Sequence, residues 1–218
     1  MRALLRHLSR TRKARAGMAG AFLVLLCMQP GRAEPSTIVP PPVARPDVAP
    51  RAPEGTPARP QADLSTCGVA SPVEVDAIGP LSLQPVFTFD ERLVETVENF
   101  IPTLQALSEA HLGARVAGLR VAAGYVCRTR NRRPGARISR HAFGWAIDIR
   151  AFRLDDGREV SIETGWNGAA EEQAFLRAVH DAACGPFNTV LGPQSDSYHR
   201  DHFHFDIDPQ RRRGPYCR

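Results

Sequence analysis

Ser139-Arg140-His141-Ala142-Phe143-Gly144-Trp145-Ala146-Ile147-Asp148 in mid-chain and Tyr198-His199-Arg200-Asp201-His202-Phe203-His204-Phe205-Asp206 near the C-terminus decide the reading of this chain. Four of the seven histidines fall in these windows, each near an aspartate. In the second window His202, His204 and Asp206 alternate with Phe203 and Phe205. That is the period of a β-strand, so His202 and His204 project from the same face. His199 lies just ahead of the strand and can turn toward them. His141 and Asp148 stand seven apart, with Gly144 and Ala146 between. Small residues there let the backbone pass close to an ion, and a loop running into a strand brings the two ligands together. Imidazoles and carboxylates grouped in this way suit a borderline-soft metal such as zinc. His141, Asp148 and a histidine of the second window would hold one Zn2+ ion and leave a position open to water, whose pKa falls toward ~7 on the metal. H-x-H alone is a weak signal. H-x-x-H-x-H after an upstream H-x6-D is much stronger.

Outward from these windows, the pattern mixes helices and strands. Thr88-Phe89-Asp90 opens a helix in which Leu93, Val94, Val97, Phe100, Ile101, Leu104 and Leu107 recur at three- and four-residue spacing, and Gly113 ends it. Pro102 inside it is expected to kink or split it. Val116 to Ala123 reads as a strand. Trp145 to Phe152 reads as another, turned back by Asp155-Asp156-Gly157 into Glu159 to Ile162 as a hairpin. Ala169 to Ala183 is a second amphipathic helix, and Phe187 to Leu191 and His202 to Ile207 are short strands. No regular β-α-β rhythm is visible. The expectation is an α+β single domain, with a central antiparallel β-sheet and flanking helices.

The chain ends carry different information. Residues 1–16 hold six basic side chains and no acid, the apolar run Met18 to Met28 follows, and Gly31-Arg32-Ala33 offers small residues before a cleavage point. That order reads as a signal peptide over residues 1–33. The apolar run is too short for an ordinary membrane span of ~20 residues, so no stable span is expected after cleavage; an uncleaved anchor is the other reading. Cys27 follows the bulky Leu26, unlike a lipid-attachment site. Residues 34–63 read as a Pro-rich disordered linker, with nine prolines between positions 34 and 62 and almost no large apolar side chain. The domain then covers 64–218, enough for one sizeable core.

The formal charge of +5 is misleading. Residues 1–33 carry seven of the 28 Lys+Arg and none of the 23 Asp+Glu, which leaves 21 against 23 and a net −2 for the exported part. A nucleic-acid partner is not indicated. The arginine clusters at 128–137 and 211–213 read as solvated faces, with contact to anionic cell-wall groups as the other reading. Beyond the leader, Cys67, Cys127, Cys184 and Cys217 form an even set without C-x-x-C spacing, so two disulfides are expected. Three connectivities are open. Cys127–Cys184, with Cys67–Cys217 tying the domain ends, is the one expected.

Ser139-x-His141-x-x-Gly144-x-Ala146-x-Asp148 followed by His202-x-His204 resembles the LAS metallopeptidases, a group that includes lysostaphin-type enzymes, D-Ala-D-Ala metallopeptidases and the hedgehog fold. His199-x-x-His202-x-His204 is similar to the penicillin-insensitive murein endopeptidases. Tyr125-x-Cys127-Arg128, Phe187-x-Thr189-Val190-Leu191-Gly192-Pro193 and Asp201-His202-x-His204 resemble the extensin-like C-terminal domain family of bacteria over about Cys67 to Cys217. The resemblance implies a hedgehog/D-Ala-D-Ala-peptidase-like fold. It implies His141, Asp148 and His204 as zinc ligands. His202 matches the first histidine of H-x-H, which lines the site and acts as base, and His199 a further active-site histidine. Asp201 stands where the dipeptidase branch carries its catalytic glutamate, so the base is open between His202 and Asp201. Arg128 resembles the arginine that holds the oxyanion, with Arg130 as the fallback. Asp206 either orients a ligand or ends the strand, and Trp145 either floors a groove or packs in the core.

Two functions follow. One is a zinc-dependent peptidase cutting peptidoglycan stem peptides or crosslinks in the periplasm or cell envelope of a Gram-negative bacterium. The other is a non-catalytic, zinc-containing cell-wall-binding module. A metal-dependent nuclease is disfavoured by the net charge of the exported part.

Overall fold

The computed structural model describes residues 63–218. The expected leader, and the proline-rich stretch up to residue 62, lie outside the described residues. Pro72–Ile78 (β1) and Leu81–Asp90 (β2) form an antiparallel hairpin. Asp90 ends β2 and caps the helix α1, Glu91–Leu112: its fully buried carboxylate accepts hydrogen bonds from the backbone N–H groups of Arg92 and Ser71. Gly113, left-handed at φ 67°, ends the helix. The split expected at Pro102 does not occur, and α1 runs through it as one helix. The proline sits on the exposed face, where water can meet the carbonyl that its missing N–H leaves unpaired.

Val116–Ala123 (β3), Ala146–Leu154 (β4), Glu159–Ser161 (β5), the short helix Ile162–Gly165 (α2), Ala170–Ala183 (α3), Thr189–Leu191 (β6), Phe203–Asp206 (β7) and Tyr216–Cys217 (β8) complete the chain. All eight strands join one sheet, in the order β1-β2-β3-β4-β7-β6-β8, with β5 on β4. The α+β class holds, but the sheet is mixed. β2–β3 and β6–β8 are parallel, and the other pairs are antiparallel. The reason is α1, which serves as the crossover that parallel neighbours β2 and β3 require. Gln105 on α1 fixes it to β3 by bonding both the N–H and the C=O of Val116.

The core lies between the sheet and the helices. Phe203 and Phe205 of β7 turn that way, as do Ile147 and Ile149 of β4. Phe152 meets Phe175 of α3 edge-on at 5.2 Å, and Phe187 meets both Phe205 and Phe100 of α1. Between Ile149 and Ala151 the register against β3 shifts by one residue, a bulge at Arg150. Alternation therefore restarts: Phe152 and Leu154 rejoin the core side, while Asp148 stays on the opposite face.

Both disulfides differ from the expected pairing. They join Cys67 to Cys127 and Cys184 to Cys217, with Cα separations of 5.6 and 5.9 Å. The N-terminal segment runs along the His141 loop, where the Gly68 N–H donates to the Ala142 carbonyl, and this brings Cys67 to Cys127. β8 adds to β6 beside the end of α3, which brings Cys217 to Cys184.

Gly144 works differently from the expectation that it gives room to an ion. It is left-handed (φ 69°, ψ 12°), and its carbonyl accepts from the Asp90 N–H at 3.0 Å. A Cβ there would stand 2.7 Å from the Asp90 nitrogen and 3.0 Å from the Val69 methyls. Gly144→Ala is expected to lower stability by about 2–4 kcal/mol, measured by urea denaturation; an unchanged midpoint would contradict this packing.

Candidate metal centre

Neighbouring strands bring the two windows together. β4 and β7 pair antiparallel with Asp148 opposite His204, so both side chains rise from the same face. His141 arrives from the 3-10 turn Arg140–Phe143 just before β4. The backbone that carries it is tied down on two sides, by the Gly68–Ala142 and Asp90–Gly144 bonds. The result is a cluster in which one ligand atom from each of His141, Asp148 and His204 lies within 4.8 Å of the others.

The outer nitrogens determine which atoms face inward. His141 Nδ1 lies 2.8 Å from the Gly124 carbonyl oxygen, which can only accept, so Nδ1 carries the proton and Nε2 is left as a lone pair. His204 Nε2 lies 3.3 Å from Asp206 Oδ2, so it donates there and Nδ1 faces inward. These inner atoms meet at 3.2 Å, and Asp148 adds Oδ2 at 3.1 Å from His141 Nε2 and Oδ1 at 2.8 Å from His204 Nδ1. Three acceptors converging so closely repel one another unless a cation or a proton sits among them. Tetrahedral ligands at 2.0–2.1 Å from zinc stand roughly 3.3 Å apart, so the three side chains fit a metal ion with small outward movement. Asp206 and the Gly124 carbonyl orient the two imidazoles from behind.

Charge in the metal-free chain follows the same geometry. Burial opposes a charge on His204, but hydrogen bonds to Asp148 and Asp206 overcome it and push its pKa up to about 9. Burial likewise opposes ionisation of Asp148, yet the two imidazoles hold it well below the usual carboxylate range. A proton thus occupies the place that suits a metal.

The other expected residues surround this centre. His202 Nε2 lies 3.7 Å from Asp148 Oδ1, and its Nδ1 donates to Asp201 at 2.8 Å. Asp201 also accepts from Arg150 at 2.7 Å. His202 lines the cleft above the centre, and Asp201 does not. His199 packs at an angle against His202 and His204, with centroids 5.2 and 5.8 Å away, and its Nδ1 donates to Asp196 at 2.7 Å. Burial lowers its pKa, partly offset by Asp196. Arg128 places Nη2 4.0 Å from Asp148 Oδ2. Trp145 does not line the cleft; it packs against Phe143, with Arg92 and Arg140 over its ring.

The cleft has a volume of about 1210 Å³. Both arginine clusters, expected as solvated faces, line it together with all three tyrosines of the chain. Sequence reading passed over Asp196, although its place three before His199 is a signal. It also passed over the Gly124 carbonyl and the Arg150–Asp201 pair, which become visible only once the strands are paired.

Metal binding must displace the His204 proton. Affinity for a divalent ion is therefore expected to climb about tenfold per pH unit up to about pH 9, whereas the metal-free protein loses the stability contributed by charged His204 as pH rises through about 9. Chelator-competition titrations and urea melts across this range check both slopes; a pH-independent affinity would contradict the proton's place among the ligands.

No curated protein and no solved structure matches the chain. Among the described residues no helix is long and apolar enough to cross a membrane, and the two disulfides are suited to an oxidising, exported location. Residues 49–218 match the family described as extensin-like protein C-terminus, a stretch that holds the His141–Asp148–His204 cluster, both disulfides and every strand found among the described residues, and the chain belongs to that family.

Proposed function

We propose that this protein is a zinc-dependent peptidoglycan peptidase of the periplasm, hydrolysing an amide bond in stem peptides or their crosslinks. The observation that carries the reading is the convergence of His141 Nε2, Asp148 and His204 Nδ1 at the wall of an open cleft. The resemblance of the two histidine windows to LAS metallopeptidases supports the substrate class. Two imidazoles and a carboxylate select zinc over harder ions. A zinc ion there supplies a Lewis acid and a water of lowered pKa.

The protein's own groups then divide the work. His202 acts as the base. Its Nδ1–H is held by Asp201, which leaves the Nε2 lone pair turned toward Asp148, in place to take a proton from an attacking water and return one to the leaving amine. Asp201 is the positioning residue: His202 and Arg150 occupy its carboxylate, and it lies off the cleft. Arg128, a permanent cation in the cleft, holds the developing oxyanion. His199 donates through Nδ1 to Asp196, so its free Nε2 accepts a substrate N–H and suits an oxyanion poorly.

Digestion of purified crosslinked muropeptides with and without chelator, with products weighed by mass spectrometry, tests the reading. New, chelator-sensitive products are expected. None across D,D and L,D crosslinks would favour a non-catalytic wall-binding module. His204→Ala is expected to abolish stoichiometric zinc. His202→Ala is expected to keep zinc and lose turnover by about 10²–10⁴-fold; loss of the metal in both variants alike would overturn these roles.

A further inference from the structure

The exported part of the chain is slightly acidic, yet eight arginines and only four acids line the cleft, with no lysine and no glutamate. Five of those arginines come from one stretch. Thr129 and Ile138 bridge as antiparallel partners, the Arg130 N–H donates to the Arg137 carbonyl at 2.9 Å, and the Ser139 N–H donates to the Arg128 carbonyl at 3.0 Å. This closes a hairpin with Arg130 and Arg137 facing each other across its neck, and Cys67–Cys127 anchors its base. At its tip Asn131 and Arg132 are both left-handed, at φ 55° and 54°, consecutive positions that side chains rarely adopt without cause.

Outside this stretch the pairing is uneven: among the described residues Arg200, Arg212 and Arg213 meet no carboxylate, whereas Arg150 meets Asp201. Arg92, Arg115, Arg120 and Arg158 each meet a carboxylate. Among the described residues Arg130, Arg132 and Arg137 meet none, although they crowd Arg128 and Arg140. Arg140 pairs with Asp208, but its buried Nε has no hydrogen-bond partner. Like charges held together on one wall, three of them without a carboxylate partner, are arranged for an anion from outside.

We propose that the Arg128–Ser139 hairpin is a carboxylate-recognition wall, where Arg130, Arg132 and Arg137 bind the free carboxylates of an acidic peptide whose backbone lies along the His202–His204 side of the cleft. The planar guanidinium fork matches a carboxylate through two parallel hydrogen bonds. Asp148, Asp196, Asp206 and Asp208 line the same cleft. A continuous polyanion would have to run over these acids, whereas a peptide sets neutral amides there and confines its charges to the wall. Tyr125 and Tyr198, both exposed, offer faces to its apolar side chains. The peptidase reading supplies the position of the amide; the carboxylate preference stands independently of turnover.

The test is fluorescence anisotropy with the zinc-loaded full chain. The probes are a labelled pentapeptide, L-Ala-γ-D-Glu-L-Lys-D-Ala-D-Ala with free carboxylates, its fully amidated twin, and a single-stranded DNA oligonucleotide. The free acid is expected to bind about tenfold or more tightly than the amide, the scale of one charge-assisted hydrogen bond. Arg130→Gln/Arg137→Gln is expected to erase that preference while zinc content and thermal midpoint stay unchanged. Equal affinity for acid and amide, or a preference that survives the double variant, overturns the proposal. So does DNA bound as tightly as the free acid, which would make the wall a polyanion groove. Weighing these peptides and crosslinked muropeptides after incubation separates the two readings: preference without cleavage of either sinks the peptidase and leaves the wall, and cleavage without preference does the reverse.

Discussion

Everything at the centre depends on one cross-strand pair, Asp148 of β4 opposite His204 of β7. Side chains alternate along a strand, so a slip of one residue would turn Asp148 into the core and bring Ile147 or Ile149 to the cleft. The register is held from the other face. Ile147, Ile149, Phe203 and Phe205 are buried against the helices, and together they outweigh any alternative pairing. The bulge at Arg150 then lets Phe152 and Leu154 return to the core side without moving Asp148. The polar centre is thus positioned by apolar packing on the opposite side of the same two strands.

The third member of the cluster, His141, depends on chain crossings. His141 sits in a short turn between the N-terminal segment, the β2–α1 junction and the loop after β3. The Gly68–Ala142 bond, the Asp90–Gly144 bond and the His141–Gly124 bond fix it from three directions. Cys67–Cys127 links two of those segments covalently, and Cys184–Cys217 secures the outer strand on the far side of β6. Side chains held this way stand within about hydrogen-bonding distance of one another, in a group that could hold a metal ion. The cost is electrostatic: lone pairs face lone pairs, and the raised pKa of His204 is how the metal-free chain relieves it.

Much of this was readable in residues 139–148 and 198–206. The H-x-H alternation places His202 and His204 on one face, and the small residues around Gly144 mark a tight turn into a strand. β3, α3 and the hairpin of β4 and β5 followed from periodicity. The β1–β2 hairpin did not, although Val73-Glu74-Val75 and Leu81-Ser82-Leu83 alternate: Pro85 interrupts the second run, and Thr88-Phe89-Asp90 reads as the start of the helix that follows. Missing β2 hid the β2-α1-β3 crossover, and with it the parallel pairing. The disulfide connectivity could not be reached either, since it depends on which edges of the sheet the chain ends join. The arginine clusters were visible as composition, but their meeting in the histidine cleft depends on a hairpin closed by backbone hydrogen bonds, and composition does not show such closure.

Zinc-edge X-ray absorption on the zinc-loaded protein addresses the ligand set most directly. The account predicts one ion per chain in a nitrogen/oxygen shell at about 2.0–2.1 Å, with outer-shell scattering from two imidazoles and no sulfur. A sulfur shell, a single imidazole, or an ion bound only by water and surface carboxylates would contradict it.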